Sequence, residues 1–67
     1  MFKERLKELR IEKGVSAKAI SESINLSRNA IYNYEQGIRE PSLEILIRLC
    51  DYFDVSADYL IGRSDDY

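Results

Sequence analysis

The chain has 67 residues and a net charge of −2 at pH 7, and 45% of its residues are hydrophobic. This length supports one small hydrophobic core and rules out a second independent domain. Histidine is absent and cysteine occurs once, which removes the commonest general base and metal ligand and rules out an internal disulfide. Apolar runs reach only three residues, too few for a membrane span. We therefore expect a cytoplasmic protein that is not an enzyme, with no metal, cofactor or small-molecule ligand.

The charge is distributed unevenly along the chain. Residues 1–39 carry a net charge of +3, whereas residues 40–67 carry a net charge of −5. A molecule with this polarity can turn a basic face toward phosphates while its other end stays acidic. The overall negative charge therefore does not exclude a nucleic-acid partner.

The spacing of apolar residues predicts an all-α protein. Apolar residues recur every three or four positions, as on one face of a helix, and no β-branched run of strand length occurs. The first helix is expected over 2–13. Phe2, Leu6 and Leu9 form its inner face, and Gly14 supplies the left-handed residue that ends it.

Four serines predict where the later helices begin. Ser16, Ser27 and Ser56 each follow an apolar residue and precede another apolar residue four positions on, which is typical of an N-cap with a hydrophobic staple. Ser42 follows Pro41 and precedes an acidic residue in the first turn, which also favours a helix start. The predicted helices are 17–24, 28–36, 43–53 and 57–61. We expect a compact five-helix bundle over 1–62 and a short polar tail over 63–67.

The second and third predicted helices are joined by a very short turn at 25–27. Asn25 follows the last apolar position of the second helix and is one of the few residues that tolerates a positive φ angle. A turn this tight makes the two helices cross steeply instead of lying antiparallel. Residues 17–36 are therefore predicted to form a helix-turn-helix.

The outer face of the third helix has an unusual composition. A solvated helix face normally mixes Glu and Lys, whereas this face has no acid and includes two asparagines, which are poor helix formers. Arginine pairs with guanine, and asparagine and glutamine pair with adenine, at the edges of bases in the DNA major groove. The residues that share this face are Arg28, Asn29, Tyr32, Asn33 and Gln36. An ordinary solvated face is the alternative interpretation of the pattern taken alone.

Most of the chain resembles the phage repressor and Cro type of helix-turn-helix domain, the bacterial XRE family. The resemblance rests on three segments: RLKELRIEKGVS (5–16), AKAISESINLSRNAIYNYEQG (17–37) and REPSLEILIRLCDYFDVSADYLIG (39–62). Its implied fold is a lambda-repressor-like bundle with a central helix-turn-helix. Its implied function is sequence-specific binding to double-stranded DNA as a transcriptional regulator, in particular a repressor, with helix 28–36 in the major groove.

The resemblance also assigns roles to individual residues. It places Arg28, Asn29 and Asn33 where the family reads bases, with Tyr32 beside them. It places Ser27, Gln36 and Arg39 where the family holds phosphates. The family often has Gln where this chain has Ala17, so that phosphate contact is expected to come from Lys18 or from backbone N–H groups. Two further departures, Ser21 for the usual alanine and Asn25 for the turn glycine, are sterically mild.

The resemblance pairs Arg10 of the first helix with Glu35 of the third. Arg10 interrupts an otherwise apolar edge beside Leu6 and Leu9, which favours the pair over two unrelated surface charges. Such a pair would orient the third helix more than it stabilises the fold, because semi-buried ion pairs gain little net energy.

The partners implied by the resemblance are DNA and a second copy of the chain. Sites are expected to be palindromic operators bound by a homodimer, and Tyr52, Tyr59 and Ile61 are candidates for the surface between the copies. A different class of function stays open at this point. The same fold serves as a protein-interaction module, such as an antitoxin or a co-regulator that contacts its partner through the acidic C-terminal half.

Overall fold

The structure, a computed structural model, describes residues 1–27 and 29–67. Within these residues it contains five helices and no strand, as predicted. Arg28, predicted to read bases and to begin the third helix, lies outside the described residues. The helices are α1 (Phe2–Lys13), α2 (Ala17–Ser23), α3 (Ala30–Gln36), α4 (Leu43–Phe53) and α5 (Ala57–Leu60).

Three of the four serines predicted as N-caps do cap their helices. In each case the hydroxyl accepts a hydrogen bond from the backbone N–H three residues later, which satisfies one of the donors left free at a helix start. The donor–acceptor distances are 3.0 to 3.2 Å, and the serines are Ser16, Ser42 and Ser56. These caps fix the starts of α2, α4 and α5 where the sequence predicts them.

The predicted start of the third helix is wrong. The helix begins at Ala30, and Asn29 is its N-cap residue without a side-chain cap bond. The Ser27 carbonyl accepts the Ala30 N–H at 3.1 Å, so a turn of the backbone replaces the predicted hydroxyl cap. The predicted ends of the second and fifth helices are each one residue too late, because Ile24 and Ile61 are C-cap residues.

The turn between α2 and α3 depends on a left-handed residue. Asn25 has a φ angle of 60°, as its predicted role requires. The next N–H, from Leu26, reaches back to the Ser21 carbonyl at 2.7 Å, and the Asn25 N–H bonds the Glu22 carbonyl at 3.4 Å. This pattern is a Schellman motif, which satisfies the last carbonyls of α2 and turns the chain sharply. The direction of α3 is therefore set by the end of α2.

The core is formed by apolar side chains from all five helices. The buried set is Leu6, Leu9, Ile20, Ile24, Ile31, Tyr34, Leu49, Cys50, Phe53 and Leu60. Cys50 lies within the core, and burial, assisted by the nearby Asp51 carboxylate, raises the pKa of its thiol. The thiol therefore stays protonated and acts as a small apolar group.

Residues after α5 fold back against α1. Arg5 forms an ion pair with Asp65 at 2.8 Å and also donates to the Ser64 carbonyl at 3.2 Å. The Tyr67 ring lies 4.6 Å from the Tyr59 ring, between centroids. The boundary between the domain 1–62 and the tail 63–67 stays a prediction.

Ser21 is a polar residue enclosed by the core. Its side chain is fully buried, and its hydroxyl has no hydrogen-bond partner among the described residues. A buried hydroxyl without a partner loses its hydration and gains nothing in return. Ser21 is therefore a local cost to stability within α2.

We expect Ser21→Ala to stabilise the fold by about 1 kcal/mol, because it removes the unpartnered hydroxyl without leaving a large cavity. The melting temperature should rise by roughly 4–8 °C, measured by circular dichroism. Ser23→Ala, at an exposed position of the same helix, is the control and should change stability little. A destabilised Ser21→Ala variant would show that the hydroxyl has a partner in solution.

Candidate nucleic-acid interface

The helix-turn-helix presents the outer face of α3 on the surface of the bundle. Ile20 and Ile24 of α2 pack with Ile31 and Tyr34 of α3 in the buried core. These apolar residues occupy the inner side of the pair, as the sequence predicts. The opposite side of α3 is left for polar residues.

Three of the residues predicted to read bases, Asn29, Tyr32 and Asn33, have described positions on this side, with different exposures. Asn29 is exposed at the start of α3, and Tyr32 is 55% exposed. Asn33 is half-buried, so it offers less surface than the sequence pattern indicates. Gln36 is exposed at the last position of the helix. Three carboxamides and one phenol thus follow one another along a helix face that carries no carboxylate.

The other residues predicted to bind phosphates are all exposed. Lys18 lies in the first turn of α2, Ser27 lies in the turn before α3, and both are exposed. Arg39 is exposed in the loop after α3. Ser27 and Arg39 therefore lie before and after α3 in the chain, and Lys18 lines a groove together with Leu26 of the turn.

Arg10 and Glu35 form an ion pair beneath α3. Arg10 Nε donates to Glu35 Oε2 at 2.7 Å, and a terminal nitrogen donates to Oε1 at 3.2 Å. The Glu35 side chain is only 6% exposed, and that of Arg10 is 22% exposed. The hydrogen bond that Arg10 donates to Glu35 raises the pKa of Arg10 against the opposing effect of burial. A two-bond pair of this kind fixes the angle as well as the distance between its partners.

Arg10 also contacts the entry to α2. A second terminal nitrogen donates to the Val15 carbonyl at 3.4 Å. The Arg10 guanidinium, on α1, therefore contacts both α3 and the segment that precedes α2. We infer that this residue holds the helix-turn-helix as a unit.

Arg48 makes a contact that the sequence analysis does not foresee. From α4 it donates to the Ile24 carbonyl at 3.2 Å and pairs with Glu44 at 2.7 Å. Ile24 ends α2, so Arg48 fastens the turn of the helix-turn-helix to the next helix. The spacing of Glu44 and Arg48 on α4 could have revealed their pair, but nothing local in sequence points to Ile24.

Two of the three residues predicted to join two copies already have partners within the chain. The Tyr52 ring lies edge-on to Phe53 at 5.0 Å between centroids. The Arg5 guanidinium lies 4.2 Å from the centre of the Tyr59 ring. Ile61 is 38% exposed. The surface between copies stays a prediction, with Ile61 as its most exposed member.

The described residues contain neither a metal-binding cluster nor a membrane-spanning helix. Within them, no three His, Cys, Asp or Glu side chains are grouped so as to hold a metal ion. None of their helices has the length and apolarity needed to cross a membrane.

Comparison with known proteins identifies the family. The family model described as Helix-turn-helix matches residues 6–60. The chain belongs to the XRE-type helix-turn-helix family. This confirms the resemblance seen in the sequence. A crystal structure of a transcriptional regulator from Listeria innocua has the same fold, with a TM-score of 0.88 and 34% identity over 100% of this chain and 63% of that chain.

Curated relatives of this helix-turn-helix chain are named as regulators. It is 38% identical to the HTH-type transcriptional regulator ImmR of Bacillus subtilis over 91% of this chain and 48% of that protein. It is 40% identical to AnsR of the same organism, covering 90% of this chain and 52% of that protein. A cryptic phage repressor from Vibrio cholerae, RstR, is 26% identical over 97% of this chain and 59% of that protein. The chain therefore spans about half the length of the first two relatives.

A double substitution tests whether the fold requires the Arg10–Glu35 ion pair. Arg10→Met alone should destabilise the protein by about 3 kcal/mol, because it leaves a buried carboxylate without a partner. The double variant Arg10→Met, Glu35→Met should recover most of that loss, since no buried charge remains. Unfolding in urea measures the free energy of unfolding of the single and the double variant.

Glu44→Gln is the control for this cycle. It breaks the Arg48–Glu44 pair, which has the same 2.7 Å distance but joins side chains that are 41% and 74% exposed. Its effect on stability should be small. A double variant as unstable as Arg10→Met alone would show that the pair is needed for the fold itself.

Proposed function

We propose that this protein binds double-stranded DNA with sequence specificity and regulates transcription as a repressor, with α3 in the major groove. The observation that carries the proposal is the arrangement around α3. The Arg10–Glu35 pair fixes the inner side of the helix, and a polar face without carboxylates points outward. The regulators named among the relatives support a role in transcription, and the phage repressor among them favours repression.

The proposed base-reading residues are Arg28, Asn29, Tyr32 and Asn33. Arginine can pair with guanine through two hydrogen bonds, and asparagine can do the same with adenine. Tyr32 is largely exposed between the two asparagines and offers a ring for contact with a thymine methyl group and a hydroxyl for a polar contact. Together these side chains span three or four base pairs.

The proposed phosphate contacts are Lys18, Ser27, Gln36 and Arg39. These four positions lie before, beside and after α3 and carry only two positive charges. Contacts of this kind set the register of the helix in the groove without reading sequence. The small number of cations agrees with the net charge of −2 for the whole chain.

A palindromic operator bound by two copies is part of the proposal. Helix-turn-helix proteins of this type place their half-sites about one turn of DNA apart. Ile61, together with the outer edges of Tyr52 and Tyr59, is the proposed contact between copies. The proposal places the protein in the cytoplasm, where it reaches DNA directly, and assigns it no catalytic activity.

Asn33→Ala should weaken specific binding by roughly 1–3 kcal/mol and relax the preference at one base position, because a bidentate contact to a base is lost. Selection of duplexes from a random pool measures the motif for each variant. Arg28→Ala is expected to relax a different position. Ser23→Ala, at a residue that lines a groove with Arg48 and Tyr52 of α4, should leave the motif unchanged. An unchanged motif for Asn33→Ala would remove this residue from the base-reading set.

Binding should depend only modestly on salt concentration. The logarithm of affinity falls with the logarithm of salt concentration at a slope of about −0.9 for each phosphate neutralised, and few cations flank α3. Titrations of a selected duplex between about 50 and about 200 mM salt measure the slope. A slope matching roughly 6–10 phosphates per copy would contradict the proposed contacts.

The same selection separates DNA binding from the alternative class. A protein-interaction module, such as an antitoxin or a co-regulator, would enrich no motif from random duplexes. A regulator that reads bases through α3 should enrich one motif, repeated with two-fold symmetry. Failure to enrich any motif would contradict sequence-specific binding.

A further inference from the structure

One side of α1 brings two cations against α3. Lys3, Leu6 and Arg10 are spaced so that they share a face of α1. Leu6 is fully buried and Arg10 pairs with Glu35. Lys3 lies against Gly37, the residue that ends α3: a methyl group at Gly37 would lie 3.2 Å from Lys3 Cδ and 3.4 Å from Lys3 Nζ. Arg10 is thus paired, whereas Lys3 lies at the C-terminal end of the proposed recognition helix.

Lys3 borders an open groove of about 440 Å³ between the start of α1 and the loop after α3. Arg39, a proposed phosphate contact, lines the same groove, and so does Glu40. Among the described residues, neither Lys3 nor Arg39 has a carboxylate oxygen within 4.0 Å. Met1 also lines this groove, but its amino group pairs with Glu4 at 3.1 Å. Two cations thus face one groove without an ion-pair partner in the described part of the chain.

A purely structural role for Lys3 would be to neutralise the carbonyl groups at the end of α3. Two of those carbonyls already have backbone donors. The Asn33 carbonyl accepts the Ile38 N–H at 3.0 Å, and the Tyr34 carbonyl accepts the Gly37 N–H at 3.2 Å. Among the described residues no carboxylate pairs with Lys3, so its ammonium group can bind a ligand outside the chain.

We propose that Lys3 and Arg39 together bind one phosphate of the DNA backbone beside the C-terminal end of α3. This inference rests on the proposed function. Gln36 precedes Gly37 directly and is itself a proposed phosphate contact, so a DNA strand that passes Gln36 and Arg39 runs along the mouth of this groove. An ammonium group binds a phosphate as a point charge and carries no sequence information. Lys3 thus adds affinity for DNA but no base preference. The Glu40 carboxylate, in the same groove, repels the phosphate and lowers that affinity.

The test compares salt-dependent binding of charge variants, using fluorescence anisotropy with one selected duplex and one random duplex. Lys3→Gln should make the slope of log affinity against log salt about 0.9 less steep. It should weaken binding to both duplexes by the same factor and leave the selected motif unchanged. Lys3→Arg should retain the wild-type slope. Glu40→Gln should strengthen binding to both duplexes, because it removes an opposing charge from the groove.

Lys13→Gln is the matched control, because it removes the same charge from the same helix. Lys13 lies 5.3 Å from the centre of the Tyr52 ring and lines a groove that shares no residue with that of Lys3. Ten residues along α1, it is about 15 Å from Lys3. Its substitution should leave the slope unchanged.

The possible results discriminate between the two proposals. Equal changes in slope for Lys3→Gln and Lys13→Gln would show a general effect of net charge and overturn the Lys3 site. A lower melting temperature for Lys3→Gln with an unchanged slope would show that Lys3 only packs on α3, and would also overturn it. Normal wild-type binding in either case would leave the proposed function intact. Wild-type protein that binds neither duplex would overturn the proposed function and the Lys3 site together.

Discussion

The buried carboxylate of Glu35 is the constraint on which the rest of the arrangement depends. An ionised carboxylate on a side chain that is 6% exposed is costly without a charged partner, and Arg10 supplies that partner through two hydrogen bonds. Because Arg10 also holds the Val15 carbonyl, the pair fixes α3 relative to α1 and to the entry of α2. The proposed DNA-binding face is the outer side of a helix whose inner side is held this way.

The second constraint is the sharp turn at Asn25. Its positive φ angle allows the end of α2 to close on itself, and Arg48 then ties that end to α4. The direction of α3 is thus set by the backbone turn at Asn25 and by the hydrogen bonds of Arg10 and Arg48. Apolar packing in the core supplies the stability. This division explains how a helix of seven residues with a polar outer face, too short to be stable alone, keeps one orientation.

Local signals allowed much of the fold and the site to be predicted. The caps at Ser16, Ser42 and Ser56 and the turn at Asn25 act over a few residues, so the sequence pattern reveals them. The start of α3 was missed because a backbone hydrogen bond between Ser27 and Ala30 competes with the hydroxyl cap. Contacts such as those of Arg48 with Ile24 and of Lys3 with Gly37 join distant parts of the chain, and the half-burial of Asn33 depends on the packing around it. Such features follow from tertiary structure and leave no short-range pattern.

The most direct test of the central claim is a titration of the isotopically labelled protein with a selected duplex, followed by nuclear magnetic resonance. The account predicts that the signals of Asn29, Tyr32, Asn33 and Gln36, including the side-chain amides, change most, while those of α5 change little at low occupancy. Changes concentrated on α4 and α5, with α3 unaffected, would contradict it, because the face held by the Arg10–Glu35 pair would then not be the one that meets DNA.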